Sequence, residues 1–95
     1  MPIVRIEHAV PDFEKWKTAF DRDPADRKGS GVRRYHVLRA ADDPRFVMID
    51  LELDTMEEAT AFLRTMERIW TGPGASVMRS PRARIVELVE SVEVE

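Results

Sequence analysis

The residues of this chain with chemistry to offer are its two histidines and a set of carboxylates. His36 and Asp50 fall in two extended runs separated by a turn. Where a hairpin sets them opposite one another, the carboxylate orients the imidazole and raises its pKa, as a general base requires. In that register Arg34 meets Glu52. A slip of one residue opposes Tyr35 to Asp50 and Arg33 to Glu52, and turns His36 to the other face. Both registers are open at the level of sequence. The bland role of such a pair is a cross-strand polar contact, worth about 0.2 to 1 kcal/mol and without catalytic meaning.

His8 is the second candidate, an acid/base or ligand-gripping group at the mouth of a cavity. Its place on the Val4/Ile6 face equally describes a satisfied, half-buried core histidine. Arg5 with Glu7, Asp50 and Glu52 forms a third group, either a charged grip on a polar substrate or an ion-pair network across an interface. These carboxylates follow no spaced ligand motif, so no metal and no cofactor is assigned. The absence of cysteine removes disulfides, thiolate metal sites and a cysteine nucleophile together.

The elements that must position these groups follow from periodicity. Ile3 to Val10 alternates apolar and polar residues as a strand does. Pro11 and Asp12 stop it, and Asp12 caps a helix ending near Asp21 with Phe13, Trp16 and Phe20 on one stripe. Arg22 to Gly31 has turn chemistry and no apolar stripe, which predicts a solvated connection. Val32 to Ala41 and Arg45 to Leu53 flank Asp42-Asp43-Pro44 and read as a hairpin.

Thr55-Met56-Glu57-Glu58 is a capping box, followed at helical spacing by Met56, Ala59, Phe62, Leu63, Met66, Ile69 and Trp70. Thr71 to Pro81 predicts a loop, a candidate lid, and its Gly72-Pro73-Gly74 lacks the context of a phosphate loop. Ala83 to Val94 predicts a last strand, whose Val92 to Glu95 end is long enough to reach a second subunit. The order is that of an α+β fold, a ferredoxin-like βαββαβ unit. Its antiparallel four-stranded sheet carries two helices on one face, in the strand order 4-1-3-2.

In that topology Val47, Ile49, Leu51 and Leu53 face the helices. Phe46, Met48, Asp50 and Glu52 then share the opposite face with Arg5 and Glu7, and the mixture reads as a half-wet dimer cleft. The aromatic and methionine set Phe13, Trp16, Phe20, Phe62, Met66 and Trp70 is core, or lines a cavity between helices and sheet.

A chain of 95 residues is one domain, 1–95, and a domain this small gains stability by pairing with a copy of itself. Fifteen basic against eighteen acidic residues give a net charge of -3, with no positive field to hold nucleic acid. Arg5, Glu7 and His8 interrupt the first apolar run, and no run spans a bilayer. The expectation is a cytoplasmic protein without membrane or nucleic-acid partners.

The run His8-Ala9-Val10-Pro11-Asp12-Phe13-Glu14-Lys15-Trp16-Lys17, with Ala19-Phe20-Asp21 and the element order, resembles the dimeric α/β-barrel superfamily, near the antibiotic-biosynthesis-monooxygenase-like and cyclase-like small proteins. The resemblance implies two ferredoxin-like subunits packed sheet to sheet into a barrel. It further implies a small aromatic, polyketide-like or haem ligand between sheet and helices in each. The Asn-Trp-His arrangement of the haem-degrading branch is absent, since the chain has no asparagine.

Two functions are expected from these readings. The first is a cofactor-independent monooxygenase, cyclase or isomerase acting on a hydrophobic, oxygen-bearing small molecule. His36, Asp50 and His8 would be its polar anchors, and Arg5, Glu7, Trp16, Arg34, Phe46, Met48, Glu52, Phe62, Met66 and Trp70 its ligand contacts. The second is a non-catalytic dimeric binding or structural module. An enzyme predicts a pocket over roughly 300 Å³ with convergent polar groups.

Overall fold

A computed structural model describes residues 1–72 and 78–95 of the chain. Residues 73–77, the middle of the expected Thr71 to Pro81 lid, lie outside the described residues. Among those described, the order is β1 (Pro2–Ala9), α1 (Phe13–Asp21), β2 (Arg34–Ala40), β3 (Asp43–Glu52), α2 (Met56–Trp70) and β4 (Arg79–Glu87). The sheet runs β2-β3-β1-β4 with every neighbouring pair antiparallel. This is the βαββαβ fold and the strand order that the periodicity predicts.

Alternation on the two central strands divides the sheet into two chemically different faces. Val4, Ile6 and His8 of β1 and Val47, Ile49 and Leu51 of β3 are buried beneath the helices. Trp16 and Phe20 of α1 and Ala59, Phe62 and Met66 of α2 close over them as one apolar cluster. Each helix starts where its cap predicts. The Asp12 carboxylate accepts the Lys15 N–H at 3.2 Å, and the Thr55 hydroxyl accepts the Glu58 N–H at 3.1 Å. The second half of the expected capping box differs: the Glu58 carboxylate takes the Thr55 hydroxyl at 3.2 Å.

The hairpin closes in the first of the two registers. His36 lies opposite Asp50, Arg34 opposite Glu52 and Tyr35 opposite Leu51. Its turn is tighter than expected, because Ala40 already pairs with Asp43 and Pro44 falls inside β3. The register shift between Arg39 and Ala40 leaves Pro44 without a β2 partner, so its missing N–H leaves no gap in that ladder.

The last strand departs from expectation at both ends, starting at Arg79 rather than Ala83 and stopping at Glu87 rather than Val94. Its partner sets the limits. Pro2, at the start of β1, pairs with Glu87, so nothing remains for the residues beyond it to pair with. Residues 88–95 accordingly have no strand structure, and Val89 and Val94 are 93% and 94% exposed. At the other end an irregularity between Glu7 and Ala9 admits Ser80, at φ 47°, and Pro81 to an edge strand, where a proline is tolerated.

The connection between α1 and β2 is the other correction. Ala25 is buried within the core cluster, and Arg27 packs its guanidinium over Phe20 and Tyr35, 4.0 and 4.7 Å from the ring centroids. The segment, exposed at Arg22, Pro24, Asp26, Lys28 and Gly29 as expected, thus also lends Ala25 and Arg27 to the core. It is fixed by left-handed backbone at Asp23 and Asp26 and closes at Gly31, at φ 95°, where a Cβ would meet the Glu58 carboxylate of α2. No helix among the described residues is long and apolar enough to cross a membrane.

Candidate functional site

A cavity of about 160 Å³ lies between the inner face of the sheet and the two helices. Ile6, Ile49 and Leu51 of the sheet line it, with Trp16 and Phe20 of α1, Phe62, Met66, Ile69 and Trp70 of α2, and Met78. Arg22, Pro24, Ala25 and Arg27 of the α1–β2 connection complete the wall. The aromatic rings follow one another along α1 and onto the sheet. Centroid separations are 5.8 Å for Phe13–Trp16, 5.1 Å for Trp16–Phe20 and 5.4 Å for Phe20–Tyr35.

His8 reaches this cavity as the polar residue on an otherwise aliphatic strand face, 1% exposed, with its ring 5.4 Å from that of Trp16. Its Nδ1 lies 3.2 Å from the Ala9 carbonyl oxygen, which only accepts, so that contact assigns the proton to Nδ1. Burial lowers the pKa of the imidazole below its ordinary 6.5, against the weaker upward pull of the Ala9 carbonyl. The ring is therefore neutral at pH 7, with the Nε2 lone pair as its free acceptor. Nε2 and the indole Nε1 of Trp70 are buried without a hydrogen-bond partner among the described residues. A buried polar atom left unpaired costs about 1 to 3 kcal/mol. The expectation of a satisfied, half-buried histidine thus fails on both counts: His8 is fully buried and half satisfied.

The other face of the sheet carries the remaining candidates. Arg34, His36, Phe46, Met48, Asp50 and Glu52 lie there with Arg5 and Glu7. His36 stands across from Asp50, yet both Asp50 oxygens are taken by Arg5, at 2.8 and 2.9 Å, in a bidentate pair. No side-chain hydrogen bond joins His36 to Asp50 among the described residues. The Asp50 carboxylate also pushes the Arg5 guanidinium further toward its charged form. Arg34 and Glu52 stand 3.9 Å apart. A broad depression of about 390 Å³ crosses this face between Arg5, Glu7, Arg82 and Arg84.

The candidate residues are divided by the sheet itself. His8, Trp16, Phe62, Met66 and Trp70 line the inner cavity; Arg5, Glu7, Arg34, His36, Phe46, Met48, Asp50 and Glu52 do not. Arg27 and Met78 join the wall without having been expected there. For Arg27 a signal was present: it lies four positions after Asp23, with which it pairs at 3.3 Å, and seven after Phe20, whose carbonyl accepts from it at 2.9 Å. No group of three or more histidine and carboxylate side chains placed to hold a metal ion occurs among the described residues.

No family model matches the chain, and no curated protein matches it in sequence. Solved structures do match its fold. A Nitrosomonas europaea protein named for antibiotic biosynthesis monooxygenase superposes with a TM-score of 0.72 at 21% identity, over 95% of this chain and 100% of the other. A mutant of SnoaB, a cofactor-independent oxygenase from Streptomyces nogalater, gives 0.69 at 13% identity over 96% and 94%. A dimeric ferredoxin-like protein from an uncultured marine organism gives 0.63 at 9% over 98% of each. At these identities the likeness is one of fold: the chain has the ferredoxin-like architecture of the antibiotic-biosynthesis-monooxygenase-like proteins.

Proposed function

We propose that this chain, built on the fold of a cofactor-independent oxygenase, binds an apolar, oxygen-bearing small molecule between sheet and helices and removes a proton from it through His8. The observation that carries this reading is the neutral His8 imidazole, its Nε2 free, on the wall of an apolar cavity. A base in that setting works best on an acidic O–H or on a C–H next to a carbonyl or enol. Removal of the proton leaves an electron-rich enolate or phenolate, which can pass electrons to dioxygen without a cofactor. For an activated methylene the balance is CH2 plus O2 to C=O plus water, one oxygen atom entering the product and the substrate supplying the electrons. Without dioxygen the same proton abstraction leads to isomerisation.

In this reading the chain is a homodimer, as the ferredoxin-like neighbour is dimeric, and its two copies meet through their outer sheet faces. Arg5, Asp50, Arg34 and Glu52 then act as interface charges, and His36 stands among them rather than in the cavity. A non-catalytic binding role is the second reading. It is favoured by His8 being the sole residue among the described cavity lining that titrates near neutrality, so that no acid partner stands beside it.

The test is oxygen uptake and 18O incorporation from labelled dioxygen over a panel of hydroxyarenes and cyclic hydroxyketones, with the wild type and His8→Leu. Turnover with one labelled oxygen in the product, falling about 10²- to 10⁴-fold in the variant, is expected. Binding without uptake or deuterium exchange at the substrate would leave the non-catalytic reading.

A further inference from the structure

The cavity specifies its ligand more narrowly than the fold does, and we infer that it takes a single-ring hydroxyl compound, a phenol or cyclic enol, rather than a multi-ring one. The inference rests on the reading of the inner cavity as the ligand site. Size is the first constraint. At about 160 Å³ the space is close to the roughly 150 Å³ that accommodates benzene in an apolar interior. It is well under the roughly 300 Å³ at which sites for larger ligands begin. One ring with a few substituents fills it, and three fused rings do not.

Polarity is the second constraint. Two buried nitrogens of wall residues lack partners among the described residues, and they are of opposite kinds. His8 Nε2 is an acceptor, because Nδ1 carries the proton toward the Ala9 carbonyl; Trp70 Nε1–H can only donate. A hydroxyl is the smallest group that offers what each needs, a proton for the one and a lone pair for the other. An O–H beside a carbonyl does the same with two atoms. A plain hydrocarbon leaves both unpaired.

Charge is the third constraint. No carboxylate lines the cavity among the described residues, while Arg22 and Arg27 do. The wall therefore suits a neutral ligand or its anion and disfavours an amine. Proton transfer from the hydroxyl to His8 would leave the phenolate or enolate facing a wall with no negative charge.

The two tryptophans of the chain, Trp16 and Trp70, both line the cavity, so the indole N–H resonances of a 15N-labelled sample are reporters confined to it. Phenol, toluene and 1,8-dihydroxyanthrone serve as probes, with Trp70→Phe assigning the Trp70 resonance. Phenol is expected to shift that resonance downfield and to bind about tenfold tighter than toluene, as two added hydrogen bonds allow. Trp70→Phe is expected to narrow this preference while keeping toluene binding, and the anthrone is expected not to bind. Binding of the anthrone in preference to phenol, or equal binding of phenol and toluene, would overturn the single-ring hydroxyl assignment and leave the cavity as the ligand site. Failure of all three probes to move either indole resonance would overturn the cavity reading along with it.

Discussion

His8 owes its unusual state to strand alternation. Val4 and Ile6 must face the helices, and a residue two positions further along β1 has no other direction to point. The imidazole is thus carried into the core by its neighbours, and its charge state follows from burial rather than from a charged partner. A pH dependence of stability results. Above pH 6.5 the ring is neutral in folded and unfolded chains alike and contributes no slope. Below it the unfolded chain binds a proton that the buried ring refuses, so stability falls until the lowered folded-state pKa is passed. Urea denaturation of wild type and His8→Leu between pH 7.5 and pH 4.5 measures this directly. The stability of the wild type relative to the variant should fall with acidification, by about 1.4 kcal/mol for each unit by which the folded-state pKa is lowered. A gap independent of pH would show that the ring takes up its proton as readily in the core as in water.

The elements that hold the site differ in how much of their stability is local. α2 supplies Phe62, Met66, Ile69 and Trp70 to the cavity, and its first turn is secured by the Thr55 hydroxyl, which accepts the Glu58 N–H and donates to the Glu58 carboxylate. Thr55→Ala removes both contacts and is expected to lower stability by about 1 kcal/mol, with Thr55→Ser close to wild type, in denaturant melts at neutral pH. This helix was legible in the sequence because its cap and its apolar stripe are local signals. The two strands of the hairpin were legible in the same way, but their register was not: sequence left two registers open, and the fold takes the one that sets Val37 opposite Ile49 and His36 opposite Asp50. The limits of β4 were not, because they depend on where β1 begins. The Ala83 to Val94 pattern alternates smoothly, but the strand ends where Pro2 runs out of partners. The site was half legible. Residue types and spacing named His8, Trp16, Phe62, Met66 and Trp70. Alternation already sets His8 on the Val4/Ile6 face and Asp50 on the opposite one, and only the hairpin register, which sequence left open, decides that His36 joins Asp50.

At the scale of the whole molecule the unfinished surface is the outer face of the sheet. The chain measures 36 × 33 × 20 Å, a slab whose broad side exceeds the about 800 Å² each partner gives to a standard interface. On that side Ile3 and Val86 lie half-buried at one end and Phe46, Met48 and the 44% exposed Leu38 at the other, with the row Arg84, Arg5, Asp50 and His36 crossing between them. A second copy packed on this side would cover both apolar patches and the paired charges between them. The radius of gyration, 13.5 Å, exceeds the roughly 12 Å of a domain this long, in keeping with an exposed 88–95 segment. Met48 is the position at which pairing is best tested, because it stands directly across from Glu7 on β1 and sits outside the inner core. Met48→Glu sets two carboxylates side by side within the Phe46 and Leu38 patch, where a second copy would have to cover them. Light scattering coupled to size exclusion should give the wild type twice the 11.0 kDa of one chain, and the variant 11.0 kDa at the same concentration. Circular dichroism should be unchanged, since the helix-facing core is untouched. A wild type that runs at 11.0 kDa would remove the homodimer from the reading, and a variant that stays paired would move the interface off this face.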